Sequence, residues 1–196
     1  MPTDERIARV TSVLSHRQRD LRVVLEEVTN AHNANAVLRT CDAAGVLNVD
    51  IISAAGEILP INKAITTRAD KWLELRYYPS AAECLGRLKA EGFRIAATHL
   101  GPGAIPFDQM DFTAPTAVVF GNEKEGLSAG ALALADALIR IPMFGMVQSL
   151  NLSVSVGVIL YEAIRQRAAR GPGAKSRLTP QEMEEYRRKW LEPPRR

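Results

Sequence analysis

Thr116-Ala117-Val118-Val119-Phe120 is a nearly unbroken run of apolar, largely β-forming residues that stops at Gly121. A strand of this composition has no polar face to offer water, so it needs cover on both sides, as in a parallel sheet between helices. The rest of the chain supplies the layers. Leu21 to Val28, Val46 to Ile52, Leu73 to Tyr77, Phe93 to His99 and Leu138 to Ile141 read as further strands. Ile7, Val10, Val13 and Leu14 recur at helical spacing, which predicts an amphipathic helix over 3–19 with an arginine face. Asn33 is expected to cap a helix running to Ala44, with Gly45 just past its end. Ser80 and Glu83 form a capping box for a helix that stops at Gly92. A short helix over Ser128 to Ala135 and a long one from about Ser149 to Arg170 follow. Thr179-Pro180-Gln181-Glu182 opens the last helix with a capping box and proline in its first turn. Residues 54–70 read as loop with a turn of helix. This alternation predicts an α/β fold on a parallel sheet.

Composition narrows the function classes. The 196 residues suit one domain of ordinary size with appendages. No apolar run is long enough to cross a bilayer, and the N-terminus lacks the basic-then-apolar order of a secretory signal. Cys41 and Cys84 have no C-x-x-C spacing, and His16, His32 and His99 are scattered, so neither a structural zinc nor a His-based metal site is expected. Reduced thiols fit a cytoplasmic protein. The dinucleotide and P-loop glycine motifs are missing, Gly101-Pro102-Gly103 reads as a turn, and the scattered histidines argue against a hydrolase triad. A ligand must therefore be held by other means.

Three segments carry unusual chemistry. The first, Asn33-Ala34-Asn35-Ala36-Val37-Leu38-Arg39-Thr40-Cys41-Asp42, sets a cation among apolar neighbours. Arg39 there either pairs with Asp42 on a solvated face or meets an anion or a partner subunit. The second, Gly121-Asn122-Glu123-Lys124-Glu125-Gly126-Leu127-Ser128, is a glycine-flanked acidic loop directly after the buried strand, where backbone can approach a ligand closely. Alone it could equally be a charged surface turn. The third runs from Ile141-Pro142-Met143 through Ser149-Leu150-Asn151-Leu152-Ser153 into an apolar helix, putting polar side chains and free N–H groups at one helix end.

In this order and at these separations, across residues 21–165, the three segments resemble the motifs of the SPOUT methyltransferases, in the branch that methylates RNA ribose 2′-hydroxyls. The resemblance implies an α/β fold with a deep C-terminal trefoil knot, a rare exception to the rule against knots. It implies S-adenosylmethionine as cofactor, no metal, and a homodimer whose active sites are composite. By the same resemblance Arg39 and Asn33 belong to the catalytic centre, with Glu123 as a site carboxylate and Ser149 and Asn151 facing the reacting atoms. Thr98, Leu100, Gly121, Ile141, Met143 and Leu150 would line the cofactor site. Two departures stand out: Asn30-Ala31 replaces the usual Lys-Pro, and Thr66-Thr67-Arg68-Ala69 replaces a Ser-Gly-Gly-like loop.

Charge suggests where a polyanion would sit. Residues 1–22 hold 5 Arg against 3 acids and residues 165–196 hold 10 Arg or Lys against 4, whereas the segment between holds 10 basic and 15 acidic residues. The expected organisation is a basic extension over 1–20, a methyltransferase domain over 21–170 and a second basic extension over 171–196. Arg6, Arg9, Arg17, Arg19, Arg165 and Arg167 are the expected phosphate contacts, and Tyr186 and Trp190 could stack on bases. Basic helices on both sides of a bare core look most like the branch that methylates guanosine 18 in the D-loop of tRNA. The alternatives are a wobble nucleotide, large-subunit ribosomal RNA, or a SPOUT-like RNA-binding protein without catalysis.

Overall fold

The structure, a computed structural model, describes residues 2–170 and 178–192. The Gly171-Pro172-Gly173 linker expected from sequence lies outside them. Seven parallel strands form one sheet: β1 (Gln18–Glu26), β2 (Val46–Ile52), β3 (Glu74–Tyr78), β4 (Arg94–Thr98), β5 (Ile105–Pro106), β6 (Thr116–Phe120) and β7 (Ala137–Arg140), in the order β3-β2-β1-β6-β4-β7-β5. The apolar run 116–120 is β6. It lies near the middle of the sheet between β1 and β4, and all five of its residues are buried.

Helices cover both faces, as that strand requires. On one face α2 (Ala31–Ala43) and α6 (Leu152–Ala169) pack Val37, Leu38, Val156 and Ile159 against Leu21, Val23, Leu25, Val118 and Phe120. On the other, α4 (Ala81–Ala90) and α5 (Ala129–Leu134) set Cys84, Leu85, Leu88 and Ala131 on Val24, Ile95, Ala117 and Val119. Odd and even positions of β1 thus serve different cores, the period of two expected of a strand. Each such side chain contributes about 1.5–3 kcal/mol on burial. A third, smaller core joins the chain ends: Val10 and Leu14 of α1 (Asp4–Leu14) meet Trp190 of α7 (Pro180–Leu191), with Leu47 and Trp72 beside them. Between β2 and β3 lie the short α3 (Lys63–Thr66) and a 3₁₀ turn at Ala69–Trp72.

Helix ends follow local capping chemistry, with three differences from expectation. The Thr179–Glu182 capping box is complete, whereas Ser80 accepts from the Glu83 N–H at 3.2 Å without the return bond from the Glu83 side chain that a box requires. The cap of α2 is Asn30, whose side chain accepts from the Asn33 backbone N–H at 3.1 Å, so the Asn33 side chain is released for another task. The first helix stops at Leu14 rather than reaching residue 19, because β1 already begins at Gln18.

That early strand start corrects the role expected of two arginines. Arg17 is buried. It pairs with the Asp42 carboxylate, donates to the carbonyls of Val46 at 3.0 Å and Asp42 at 3.2 Å, and stacks its guanidinium over the Trp190 ring at 5.1 Å. Arg167 is buried as well, donating to Asp20 Oδ1 at 2.6 Å, Gln18 Oε1 at 3.0 Å and the carbonyls of Phe112 and Ala114. Neither can reach an RNA phosphate. Trp190 is likewise closed to base stacking, since it is buried edge-on against Trp72 at 5.2 Å. Arg6, Arg9, Arg19 and Arg165 stay exposed. Of these, Arg19 pairs with Glu182 and Arg165 with Glu162.

Removing one partner of a buried ion pair strands the other. Arg167→Ala should therefore lower unfolding free energy by about 3–5 kcal/mol, measured by chemical denaturation. A stability loss below about 1 kcal/mol would contradict the structural role.

Candidate active site

The strands β1, β6, β4 and β7 end side by side, and the segments that leave them enclose a cavity of about 640 Å³. Thr98, His99, Leu100 and Gly101 leave β4, residues 120–127 leave β6, Arg140 to Met143 leave β7, and Ser149 to Leu152 lead into α6. This is where parallel α/β sheets place ligands, outside the carboxyl ends of their strands. The size fits a nucleoside-sized molecule. Ile139, Ile141, Met143 and Leu150 form apolar walls, suited to a flat heterocycle.

The loop after β6 is held from below by β1. Asn122 bridges to Gly126 in both directions, at 3.0 and 2.9 Å between backbone groups, and its Oδ1 accepts from the Lys124 and Glu125 N–H groups. Its Nδ2 donates to the Glu27 carbonyl at 2.8 Å. The buried Glu26 carboxylate accepts from the Ser128 N–H at 2.9 Å and its hydroxyl at 2.7 Å, and Ser128 in turn caps α5. Gly121 is required by close approach. A Cβ there would sit 2.3 Å from the Gly126 carbonyl carbon and oxygen and 2.5 Å from the Leu127 nitrogen, all backbone atoms.

Three side chains distant in sequence meet at the cavity. Asn33 Nδ2 donates to Glu123 Oε1 at 2.8 Å, and Asn151 Nδ2 donates to Asn33 Oδ1 at 3.0 Å. Asn151 Oδ1 accepts from the backbone N–H and hydroxyl of Ser153, which makes Asn151 the cap of α6. Asn33 therefore joins the loop after β6 to the helix that follows β7, and Ser149 lies on the same lining. Thr98, Leu100, Gly121, Ile141, Met143 and Leu150 all line this cavity. Thr98 also donates its hydroxyl to the Val119 carbonyl at 3.0 Å.

Arg39 is not among the lining residues. It lies six positions beyond Asn33 on α2, and at 3.6 residues per turn the two side chains point roughly 120° apart. The Asp42 partner open to it on sequence grounds is taken by Arg17, which leaves Arg39 exposed and without an ion pair among the described residues.

Residues 20–161 match the SpoU rRNA Methylase family. The chain belongs to that family. It is 46% identical over 189 residues to a tRNA (guanosine(18)-2′-O)-methyltransferase from Thermus thermophilus, covering 96% of this chain and 97% of that one. An Escherichia coli protein of the same name is 42% identical over 166 residues, 85% of this chain and 72% of its own. Among solved structures, the A. aeolicus TrmH/SpoU tRNA modifying enzyme superposes with a TM-score of 0.90 at 41% identity, over 96% of this chain and 95% of that one. The SpoU methyltransferase AviRb from Streptomyces viridochromogenes, in complex with the cofactor AdoMet, gives 0.68 at 28% identity, over 86% and 67%. The seven-stranded parallel sheet flanked by helices is thus a SpoU-type fold.

Sequence reasoning missed Asn122, Glu26 and Ser128 as loop supports, and His99 and Gly101 as lining. An asparagine just after a strand-ending glycine was the available signal for Asn122, because its side chain can bond its own backbone two residues on. Nothing local marks Glu26, whose partner Ser128 is distant in the chain.

The added methyl of Gly121→Ala meets backbone, not a movable side chain. The substitution should cost about 1–3 kcal/mol of stability, read as a lowered denaturation midpoint. An unshifted midpoint would show that the 121–127 loop relaxes freely.

Proposed function

We propose that this chain transfers the methyl group of S-adenosylmethionine to a ribose 2′-hydroxyl of tRNA, at guanosine 18 of the D-loop. The observation that carries the reading is the hydrogen-bonded row Glu123–Asn33–Asn151 on the lining of the cavity, in a chain whose near relatives bear that activity in their names. The residues fit the cofactor. Apolar walls at Ile141, Met143 and Leu150 suit an adenine, and Gly121 lies on the same lining. The cofactor supplies a methyl already activated by its sulfonium.

What remains for the protein is to present a ribose oxygen in line and relieve it of its proton. Asn33 holds Glu123 through Oε1, so the carboxylate keeps a fixed aim with Oε2 available to accept a proton. Asn151, locked as a helix cap, fixes Asn33 in turn. Ser149 adds a hydroxyl on the same lining. A guanidinium holds its proton too tightly to act as the base, so Arg39 serves by gripping the substrate phosphate bidentately and stabilising negative charge as it develops on the oxygen.

Arg39 reaches that place from a second copy of the chain. Its direction, roughly 120° from Asn33, does not lead into its own subunit's cavity. Val154 and Tyr161 on α6 and Phe144, Met146 and Val147 in the segment before it are exposed apolar residues, the kind of surface a homodimer covers. The reading includes the C-terminal knot, consistent with β6 lying between β1 and β4, and a cytoplasmic location, consistent with free Cys41 and Cys84. The terminal segment 1–20 would hold RNA through Arg6, Arg9 and Arg19, and Arg165 on α6 is a further exposed cation for it.

Methyl transfer from labelled S-adenosylmethionine to an unmodified tRNA transcript, mapped by nuclease digestion, tests the reading. Label in 2′-O-methylguanosine of the D-loop is expected. Label on ribosomal RNA or a wobble nucleotide would overturn the site, and transfer to no RNA would overturn the enzyme. Arg39→Lys keeps the charge but loses the fork, so turnover should fall by about 100-fold or more while calorimetry finds cofactor affinity unchanged. Near-normal turnover would remove Arg39 from the catalytic centre.

A further inference from the structure

A second cavity, of about 260 Å³, opens toward the other end of the sheet, on the face that carries α4. Arg19, Arg22, Arg76 and Arg87 line it together with Asn48 and Tyr186. Arg19 to Glu26 advances roughly 20 Å along β1, so this cleft and the catalytic cavity occupy opposite ends of the sheet.

The chain departs from regular geometry to build it. In an even strand Arg19 and Arg22 would point to opposite faces. The pairing of β1 with β2 jumps from Gln18–Val46 to Arg22–Asn48, so β1 spends two extra residues there, and this bulge brings both arginines to one cleft.

Cleft charge is unbalanced toward donors. Arg22 is buried between Asp50 at 3.2 Å and Glu91 at 3.1 Å, and its Nε has no acceptor. Arg87 uses only Nε on Glu91, and Arg19 only Nη1 on Glu182. The Arg76 side chain has neither a hydrogen bond nor an ion pair among the described residues, although it borders a cleft that holds three other guanidinium groups. Asp50, Glu91 and Glu182 are the carboxylates facing the four arginines; Glu74, nearby on β3, is taken by Lys189, whose ammonium also lies 5.8 Å from the centre of the Tyr186 ring. One cation and several forked N–H pairs are left over.

We infer that this cleft binds a backbone phosphate of the RNA substrate, remote from the methylated ribose, with Arg76 as its principal contact and Arg87 and Arg19 beside it. Paired guanidinium N–H groups match phosphate oxygens in charge and spacing. Beyond the Tyr186 ring and Leu47 and Leu178 the walls are polar, so a free organic phosphate gains little there except at the phosphate itself. A polymer that also meets the catalytic cavity gains from both ends at once. The inference rests on the RNA methyltransferase reading and extends it to a second point of attachment.

The test compares the full-length chain with Arg76→Ala and Arg87→Ala, both sparing the buried Arg22. Binding of a tRNA transcript is titrated across salt concentrations. Arg76→Ala should weaken binding about tenfold near 0.1 M salt and lower the salt slope by about one, with cofactor affinity unchanged and the loss appearing in KM for tRNA. Arg76→Lys should keep the slope and recover part of the affinity. Unchanged affinity and slope in both alanine variants would overturn the inference. So would a melting temperature raised by inorganic phosphate in the parent but not in Arg76→Ala, with tRNA binding equal in the two; the cleft would then take a free phosphate. If Arg76→Ala unfolds, Arg87→Ala, on the solvent side of α4, decides by the same slope. A parent that methylates no RNA sinks the enzymatic reading, whereas an active parent matched by both variants sinks only the cleft.

Discussion

The candidate active site depends on one apolar strand being held between two others. With β6 buried on both faces and paired to β1 and β4, its last residue, Phe120, is buried beside Leu25 of β1, and Gly121 begins the loop at a determined point. From there backbone contact takes over. The Asn122–Gly126 bridge closes the loop, and Glu26 and Glu27 at the end of β1 hold it from beneath. The aim of Glu123 therefore comes from strand packing together with the Asn33 side chain, not from its own helix or strand. The backbone of such a site is preorganised, because displacing residue 123 would require opening the loop bridge, and the exposed Glu123 side chain is steadied by Asn33.

The terminal helices show why a charge tally overstates an RNA surface. Arg17 and Arg167 count toward the basic ends, yet each is sequestered among carbonyls and one carboxylate. Burying a guanidinium without partners is costly; Arg167 has acceptors on Nε and both Nη groups, and Arg17 on both Nη groups. Arginine suits the task because its planar fork bonds several oxygens at once. Arg17 ties the start of β1 to α2 and lies against Trp190 of the last helix, and Arg167 ties β1 to the far end of α6, so these fastenings use groups that resemble ligand-binding arginines in sequence.

Much of the architecture was legible because it is local or periodic. The apolar runs of β2 and β6 matched their strands to the residue, and the Thr179 capping box opened α7 as written. The lining residues of the cavity were reached through motif resemblance, which encodes long-range placement that periodicity does not. What stayed illegible was pairing across the fold. Asn33 has the composition of a helix cap, and only the presence of Asn30 one turn earlier, with Glu123 and Asn151 opposite, turns it into a bridge. Asp42 is spaced for Arg39 on its own helix but goes to Arg17, which approaches from the segment before β1.

Backbone strain marks a third place where sequence and fold disagree. Thr67 and Arg68 are consecutive residues with φ of 51° and 65°, a conformation that favours glycine and penalises a β-branched side chain most. Such residues cost of order 1–3 kcal/mol each. The surroundings hold them in place: the Thr66 hydroxyl donates to Asp70 at 2.9 Å and accepts from the Arg68 N–H at 3.1 Å, while Asn35 on α2 anchors Pro60 and Asn62 upstream. Glycines at 67 and 68 would relieve the strain but lose a cation at an exposed position. Since α2 carries both Asn33 and Arg39 and also anchors this segment, retaining Arg68 there adds positive charge to a loop tied to the same helix as the candidate catalytic residues.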